Sequence, residues 1–256
     1  MQSYKMETEE IKNKSLKKAL DILNCFSYKS TWGITELSDT LHLNKSNVYD
    51  IVTTLKAMDY LEQDDDTNRY RLGLQVFALS KAMADSFSII RIAMPYMQEL
   101  ANVTNERVYL AIPHKEEIVY LEATYPKESV NLMRSILGER APMYCTGLGK
   151  AILANMPVNY QEQCLKGKLL AFTDRTITDK RKLHEELKAT KQRGYAIDNM
   201  EHEFGVRCVA LPIFDKYGRI CAGMSISGLA EHFTEKKIEE WALLGSKYAR
   251  NIHDRL

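Results

Sequence analysis

Between Gly33 and Leu72 the chain switches its patterning in a fixed order, from helical period to turn, back to helical period, and then to two short alternating runs. Few folds accept those elements in that order. Thr35 can cap a first helix that carries Leu37 and Leu41 on one face and acidic Glu36 in its first turn. His42-Leu43-Asn44 interrupts the period, and Asn44 is placed to cap a second helix. There Val48, Ile51, Val52, Leu55 and Met58 recur at steps of three and four, which predicts one buried stripe. Tyr60-Leu61-Glu62 and Arg69-Tyr70-Arg71-Leu72, parted by the polar turn at residues 64–68, predict a hairpin. Upstream, Leu16, Ala19, Leu20, Ile22, Leu23 and Phe26 supply the apolar face of a helix that would close the small core. Three helices followed by a hairpin are the layout of a winged helix-turn-helix.

The outer face of the second helix presents Lys45, Ser46, Asn47, Tyr49, Asp50, Thr53 and Thr54. Short, hydrogen-bonding side chains of this kind reach base edges and phosphates in a major groove. With Thr35 and the hairpin residues Arg69 and Arg71, the candidate DNA contacts are Thr35, Lys45, Ser46, Asn47, Tyr49, Thr53, Thr54, Arg69 and Arg71. Net charge argues for selectivity rather than a general affinity for nucleic acid. Residues 1–75 hold ten lysines and arginines against twelve acidic residues, a balance of −2, whereas a non-specific coat is clearly basic. Much of the acid lies in the N-terminal tail and the hairpin turn, so a positive face built from Lys45, Arg69 and Arg71 is expected.

With 256 residues, the chain has room for a small DNA-binding unit and a larger second domain. The expected partition is a tail over 1–14, a winged helix-turn-helix over 15–73, a linker helix over 74–94 ending at Met94-Pro95, and an effector-binding domain over 95–256. In the linker, Leu74, Val76, Phe77, Leu79, Met83 and Phe87 continue a helical pattern whose apolar face is a candidate dimer contact. Apolar runs fall short of a membrane span and the N-terminus has no signal-peptide core, so a cytoplasmic protein is expected. Five widely spaced cysteines without a C-x-x-C pair predict reduced thiols and no structural zinc.

The second domain reads as α+β. A helix from Pro95 through Val103 leads into alternating runs at 108–112, 118–123 and 130–136, and later runs at 195–198, 206–214 and 219–227 continue an antiparallel sheet. Gly147-Leu148-Gly149-Lys150 opens a helix whose glycines leave backbone N–H groups at its positive end, where an anion is favoured. A last helix from Thr234 to about His253 carries Ile238, Trp241, Leu244 and Tyr248 on one face.

Two longer motifs lie within this domain. One is Gly138-Glu139-Arg140-Ala141-Pro142-Met143-Tyr144-Cys145-Thr146-Gly147-Leu148-Gly149-Lys150-Ala151. The other runs from Gly194-Tyr195-Ala196 and Asp198 through Gly205-Val206-Arg207-Cys208-Val209-Ala210-Leu211-Pro212-Ile213-Phe214-Asp215 to Ser225-Ile226-Ser227-Gly228. Together, behind the winged helix, they closely resemble the signatures of IclR-type transcriptional regulators, over residues 15 to about 251.

The resemblance implies a GAF-like, antiparallel-sheet effector domain that binds a small organic acid and alters how a dimer or tetramer grips its operator. The pocket positions it implies are Met143, Gly147, Leu148, Asp198, Cys208, Ser225 and Ser227. Amide N–H groups at Gly147 and Leu148 and the two serine hydroxyls suit a carboxylate, Met143 and Leu148 an apolar wall, and Asp198 a ligand hydroxyl. The resemblance leans toward sugar or keto acids and toward repression. The chain departs from the pattern at Asn199, Met200 and Phe204, and in the recognition helix at Asn44, Asn47 and Asp50.

The expected partners are operator duplex, a small carboxylate and further copies of the chain, with no cofactor, metal, membrane or catalytic residue. Two other readings stay open. One is an enzyme built on Cys145 or Cys208 with His202 or His184 and Asp198, or on a metal held by Glu201-His202-Glu203. The other is a sensor that controls a protein partner through its winged helix.

Overall fold

The computed structural model describes residues 11–86, 88–127 and 136–256. They belong to two compact units, Met1–Ser86 and Phe87–Leu256.

The first unit contains α1 (Lys14–Cys25), α2 (Ile34–Leu41), α3 (Lys45–Ala57), β1 (Leu61–Gln63), β2 (Tyr70–Leu72) and α4 (Leu74–Ser86). Ile22, Phe26, Trp32, Leu37, Val48, Val52, Leu55, Leu61 and Tyr70 form its core. The strands pair antiparallel, Leu61 opposite Leu72 and Gln63 opposite Tyr70. Trp32 and Tyr70 exchange backbone hydrogen bonds of 3.0 and 2.8 Å, which adds a third short pairing to the wing. The Trp32 indole donates to the carbonyls of Cys25 and Lys29, so its N–H is satisfied inside the core.

Four expectations change here. Helix α2 begins one residue after Gly33, which is the N-cap, and Thr35 lies within the first turn. The Glu36 carboxylate reaches back to the Gly33 N–H at 3.4 Å and takes the role expected of Thr35. Asn44 is the N-cap of α3 in extended conformation, but its side chain makes no capping bond. Leu16 and Leu20 are exposed, because α1 is half as long again as α2 and only its last turns, at Ile22 and Cys25, are covered. Met58 is 60 % exposed, because α3 ends at Ala57 and the chain turns away at Met58.

The stretch after the wing differs from the linker helix expected to end at Pro95. On either side of Phe87, which lies outside the described residues, stand α4 and α5 (Ser88–Thr104), and Pro95 lies inside α5. A proline ring removes the N–H that would bond the Arg91 carbonyl. Pro95 and Arg91 lie on the exposed side, while Ala93, Met97, Leu100 and Ala101 are buried on the other.

The second unit is a six-stranded antiparallel sheet in the order β5-β4-β3-β8-β7-β6. Its strands are β3 (Arg107–His114), β4 (Glu117–Thr124), β5 (Arg140–Pro142), β6 (Ala196–Asn199), β7 (Val206–Phe214) and β8 (Ile220–Leu229). Of the strand expected at 130–136, residues 130–135 lie outside the described residues; the edge strand is instead Arg140–Pro142. The helices after α5 are α6 (Gly147–Leu153), α7 (Val158–Cys164), α8 (Lys180–Arg193) and α9 (Glu235–His253). Side chains alternate between faces along each strand. Val108, Leu110, Val209, Leu211, Met224 and Ile226 meet α5 and α9 in one core. Tyr109, Ala111, Ala196 and Ala210 point the other way, toward α6 and α8. None of the described helices is long and apolar enough to cross a membrane.

Candidate functional site

Strand register places the site. Asp198 of β6 pairs with Cys208 of β7, Cys208 with Ser227 of β8, and Ser227 with Arg107 of β3, so one rung of the sheet runs Asp198, Cys208, Ser227, Arg107. The adjacent rung on the same face is Ala196, Ala210, Ser225, Tyr109. Small residues in the middle let α6 settle onto the sheet. A Cβ on Gly147 would stand 3.4 Å from those of both Ala210 and Asp198, and one on Gly149 would overlap the Met143 backbone at 2.4 Å. Thr146 caps α6, accepting from the Gly149 N–H and donating to the Pro142 carbonyl.

Between α6 and the two rungs lies a cavity of about 230 Å³. Gly147, Leu148, Asp198, Cys208, Ser225 and Ser227 line it, together with Arg107, Tyr109 and Tyr120, and Glu139, Arg140, His202 and Glu203 are among its other lining residues. Met143 is not among them. Its turn folds beneath α6 against Gly149, and its side chain is fully buried in the core instead of forming a pocket wall. Arg107 and Tyr109 are among the lining residues that the sequence did not mark as pocket positions. Their alternation with Val108 and Leu110 marks them as one strand face, but only the pairing of β3 with β8 sets that face beside the serines.

Burial dominates the electrostatics. The Asp198 carboxyl is pushed up to about 7 by burial, with the negative field of Glu201 adding to the rise. Its Oδ1 accepts from the Glu201 N–H at 2.8 Å, and the Cys208 thiol lies 3.8 Å from Oδ2. Behind it, the fully buried Lys150 Nζ stands 2.5 Å from Glu201 Oε1 and 3.6 Å from Glu186 Oε1, and Arg193 pairs with Glu186 at 2.7 Å. Lys150 thus faces acidic neighbours rather than the cavity. Glu201 is itself raised by burial, against the pull of Lys150, and its Oε2 is buried without a partner. The Ser225 hydroxyl has no hydrogen-bond partner among the described residues, although the residue is buried.

The same groups suit neither enzyme reading. Burial raises the Cys145 thiol to about 12 and raises Cys208 as well, so both stay protonated at neutral pH. Cys208 is bonded to Asp198 rather than to a histidine base. Glu201, His202 and Glu203 diverge: Glu201 turns inward to Lys150, His202 packs on the Phe172 ring at 4.9 Å, and Glu203 is exposed.

On the first unit, Lys45, Ser46, Tyr49, Thr53 and Thr54 stand exposed along one face of α3, with Asn47 half-buried and Thr35 exposed on α2. Lys45 pairs with no acid among the described residues, whereas Thr54 donates to the Asp50 carbonyl of its own helix at 2.8 Å. The wing arginines differ from the free positive face expected of them. Arg69 turns inward to the Thr31 hydroxyl, the Thr31 carbonyl and Glu36, at 3.1, 3.0 and 2.6 Å. Hydrogen bonds from Lys29 and Arg69 hold the Glu36 carboxyl down at about 2. Arg71 is outward, bonded only to Glu62 across the hairpin at 3.0 Å.

The family model described as "IclR helix-turn-helix domain" matches residues 15–65, and that described as "Bacterial transcriptional regulator IclR C-terminal" matches residues 81–254. The HTH-type transcriptional regulator KdgR of Escherichia coli (strain K12) is 34% identical over 239 residues, 93% of this chain and 90% of that protein. The crystal structure of the Thermotoga maritima IclR has a TM-score of 0.78 at 35% identity, covering 94% of this chain and 98% of the other. An IclR homologue from Microbacterium hydrocarbonoxydans, crystallised with 4-hydroxybenzoate, shares the fold at a TM-score of 0.82 and 22% identity, over 94% of this chain and 98% of its own.

Proposed function

The chain belongs to the IclR family of bacterial transcriptional regulators, and we propose that it is a cytoplasmic repressor whose grip on its operator is set by a small hydroxy or keto acid. The observation that carries the ligand is the set of groups meeting in one cavity. Ser225, Ser227 and the first residues of α6, Gly147 and Leu148, line it, and Asp198 stands at one end of the rung that holds Ser227. An acid bound there gives Ser225 a partner and places its own carboxylate against donors rather than against an ionised neighbour. The 4-hydroxybenzoate held by the Microbacterium homologue supports an organic acid as the ligand class.

The exposed face of α3 would enter the major groove, with Lys45, Ser46, Asn47, Tyr49 and Thr53 reaching bases or phosphates and Arg71 exchanging Glu62 for phosphate. A dimer would set two such helices about one duplex turn apart, or a multiple of it, on a palindromic site. Leu74 and Phe77 of α4, 75 % and 71 % exposed, are the apolar surface we assign to self-association. If acid-free and acid-bound states space the two helices differently, a hundredfold change in operator affinity requires about 2.7 kcal/mol of coupling, within the range one differentially bound ligand supplies.

The test is fluorescence anisotropy of the full chain with duplex from its own upstream region, at one stated salt concentration, with and without a panel of keto and sugar acids. An acid that releases the duplex is the expected result. In Ser227→Ala that response should weaken about tenfold while the acid-free complex forms normally, the loss of about one hydrogen bond to a charged group. Loss of both would make Ser227 structural. No complex with any duplex would turn the reading to a protein partner, which the −2 balance of residues 1–75 favours.

A further inference from the structure

We propose that Arg107 selects the effector by length, binding acceptor oxygens at the far end of an extended acid whose carboxylate rests on Ser225 and Ser227; this rests on the acid-binding reading of the cavity. Arg107 is half-buried on the cavity wall, and its guanidinium bonds the Tyr109 hydroxyl at 3.3 Å and no carboxylate among the described residues. Among the described residues, the neighbouring cations Lys150 and Arg140 are otherwise engaged. Lys150 is committed to Glu201 and Glu186, and Arg140, more exposed, lies 3.8 Å from Glu117. A cation withdrawn from water without an anion is poorly solvated, and it gains most when a ligand supplies acceptor oxygens.

Register and side-chain length set the two anchors at different heights. Arg107 lies opposite Ser227, and Tyr109 opposite Ser225. A serine oxygen stands two bonds from its Cα, close to the sheet. The Arg107 guanidinium carbon stands five bonds from its own, beside a tyrosine hydroxyl at the tip of its ring. A carboxylate on the serines therefore leaves the guanidinium further along the cavity, where a three-carbon acid ends short of it. A five- or six-carbon acid reaches it, with either vicinal hydroxyls or a second carboxylate at its distal end. Arginine's planar fork of donors accepts both, and a bidentate carboxylate more strongly. The cation thus converts a general acid site into one that discriminates by chain length and by distal oxygen.

Calorimetric titration of the full-length protein with pyruvate, gluconate and adipate tests this. The unaltered chain should bind one of the six-carbon acids about 30-fold more tightly than pyruvate, the scale of a charge-assisted hydrogen-bonded contact. Preference for adipate identifies a distal carboxylate, and preference for gluconate distal hydroxyls. In Arg107→Gln the six-carbon to three-carbon ratio should fall to near one. Arg107→Lys should keep part of it, and Tyr109→Phe, which leaves the guanidinium in place but unsteadied, should lower it a few-fold. An unchanged ratio in Arg107→Gln overturns the proposal, as does an equal loss for all three acids, which would put Arg107 on the shared carboxylate. Should Arg107→Gln fail to fold, the Arg107→Lys and Tyr109→Phe ratios decide in the same sense. If the unaltered chain binds acids without any length preference, this inference falls and the acid-binding reading stands; if it binds none, both fall.

Discussion

In the N-terminal unit the core is apolar and the polar residues of α3 face water, whereas in the C-terminal unit Lys150, Asp198, Glu201, Ser225 and Ser227 are all buried. Two arginines, Arg69 of the first unit and Arg107 of the second, differ in the same way. Arg69 is closed off by Thr31 and Glu36 and serves the wing's own shape, while Arg107 meets Tyr109 and the cavity and no carboxylate among the described residues. A surface that must meet a polyanion can leave its side chains to solvent until the partner arrives. A cavity that must hold a small acid has to bury polar groups in advance, and it keeps them only where partners or protons offset the loss of water.

The contrast is broken most severely at Lys150. Lys150→Ala leaves Glu201 buried and without its cation, a loss of about 3–5 kcal/mol by the usual cost of severing one side of a buried pair. Chemical denaturation should show it as a lowered midpoint. The deficit should shrink on acidification, because a buried Glu201 without Lys150 has a folded pKa above its unfolded one. That favours the folded state at low pH and is lost as pH rises through the raised value. An unchanged midpoint would mean that the pair is not structural.

Next in size is Lys45→Glu, which puts an acid on the exposed face of α3 and should lower operator affinity more than a hundredfold, about 2.7 kcal/mol, with acid binding intact. A normal shift in the anisotropy titration would reject the assignment of α3 to the groove.

A smaller effect should appear in pH dependence. Asp198, held at about 7 by burial, is neutral below that value and ionised above it. Glu201, Lys150 and Cys208 are the other titratable groups that set its field. Affinity for an acid should fall as pH rises past about 7, at most about tenfold per unit. In Asp198→Asn, which can still accept from the Glu201 N–H, the profile should flatten. The same group's contribution to stability is full below its unfolded pKa and is lost as pH rises through about 7, because between the two values the folded form keeps a proton that the unfolded chain has released. A wild-type profile level from pH 6 to 9 would remove Asp198 from contact with the ligand's charge.

The finest discrimination concerns the wing. Arg71→Gln should reduce the slope of log affinity against log salt by about 1, the signature of one phosphate contact. Arg69→Gln should leave that slope alone and instead speed hydrogen exchange at the Tyr70 and Trp32 amides. Equal slopes for both variants would erase the distinction between a tethering and a reaching arginine.

Much of the first unit was legible because helical period is local. Val48, Val52 and Leu55 turn inward and Lys45, Tyr49 and Thr53 outward on the same helix, and no distant residue is needed to see it. The misreadings there, Met58 and Leu16 with Leu20, occur where a helix ends or outruns its neighbours, which period does not encode. In the second unit, six of the seven expected pocket residues line the cavity, but they were reached through motif resemblance rather than through period. Arg107 had no such motif to mark it.

The sequence by itself determined the order of elements in the first unit, the strand faces and the helix that opens at Gly147, because each depends on residues a few positions apart. Tertiary structure alone decided that Asp198, Cys208, Ser227 and Arg107 share a rung, that Met143 lies beneath α6, and that Lys150 is spent on Glu201 and Glu186. Strand pairing joins residues as far apart in the chain as Arg107 and Ser227, and a shift of one residue in register would have turned each of them to the opposite face.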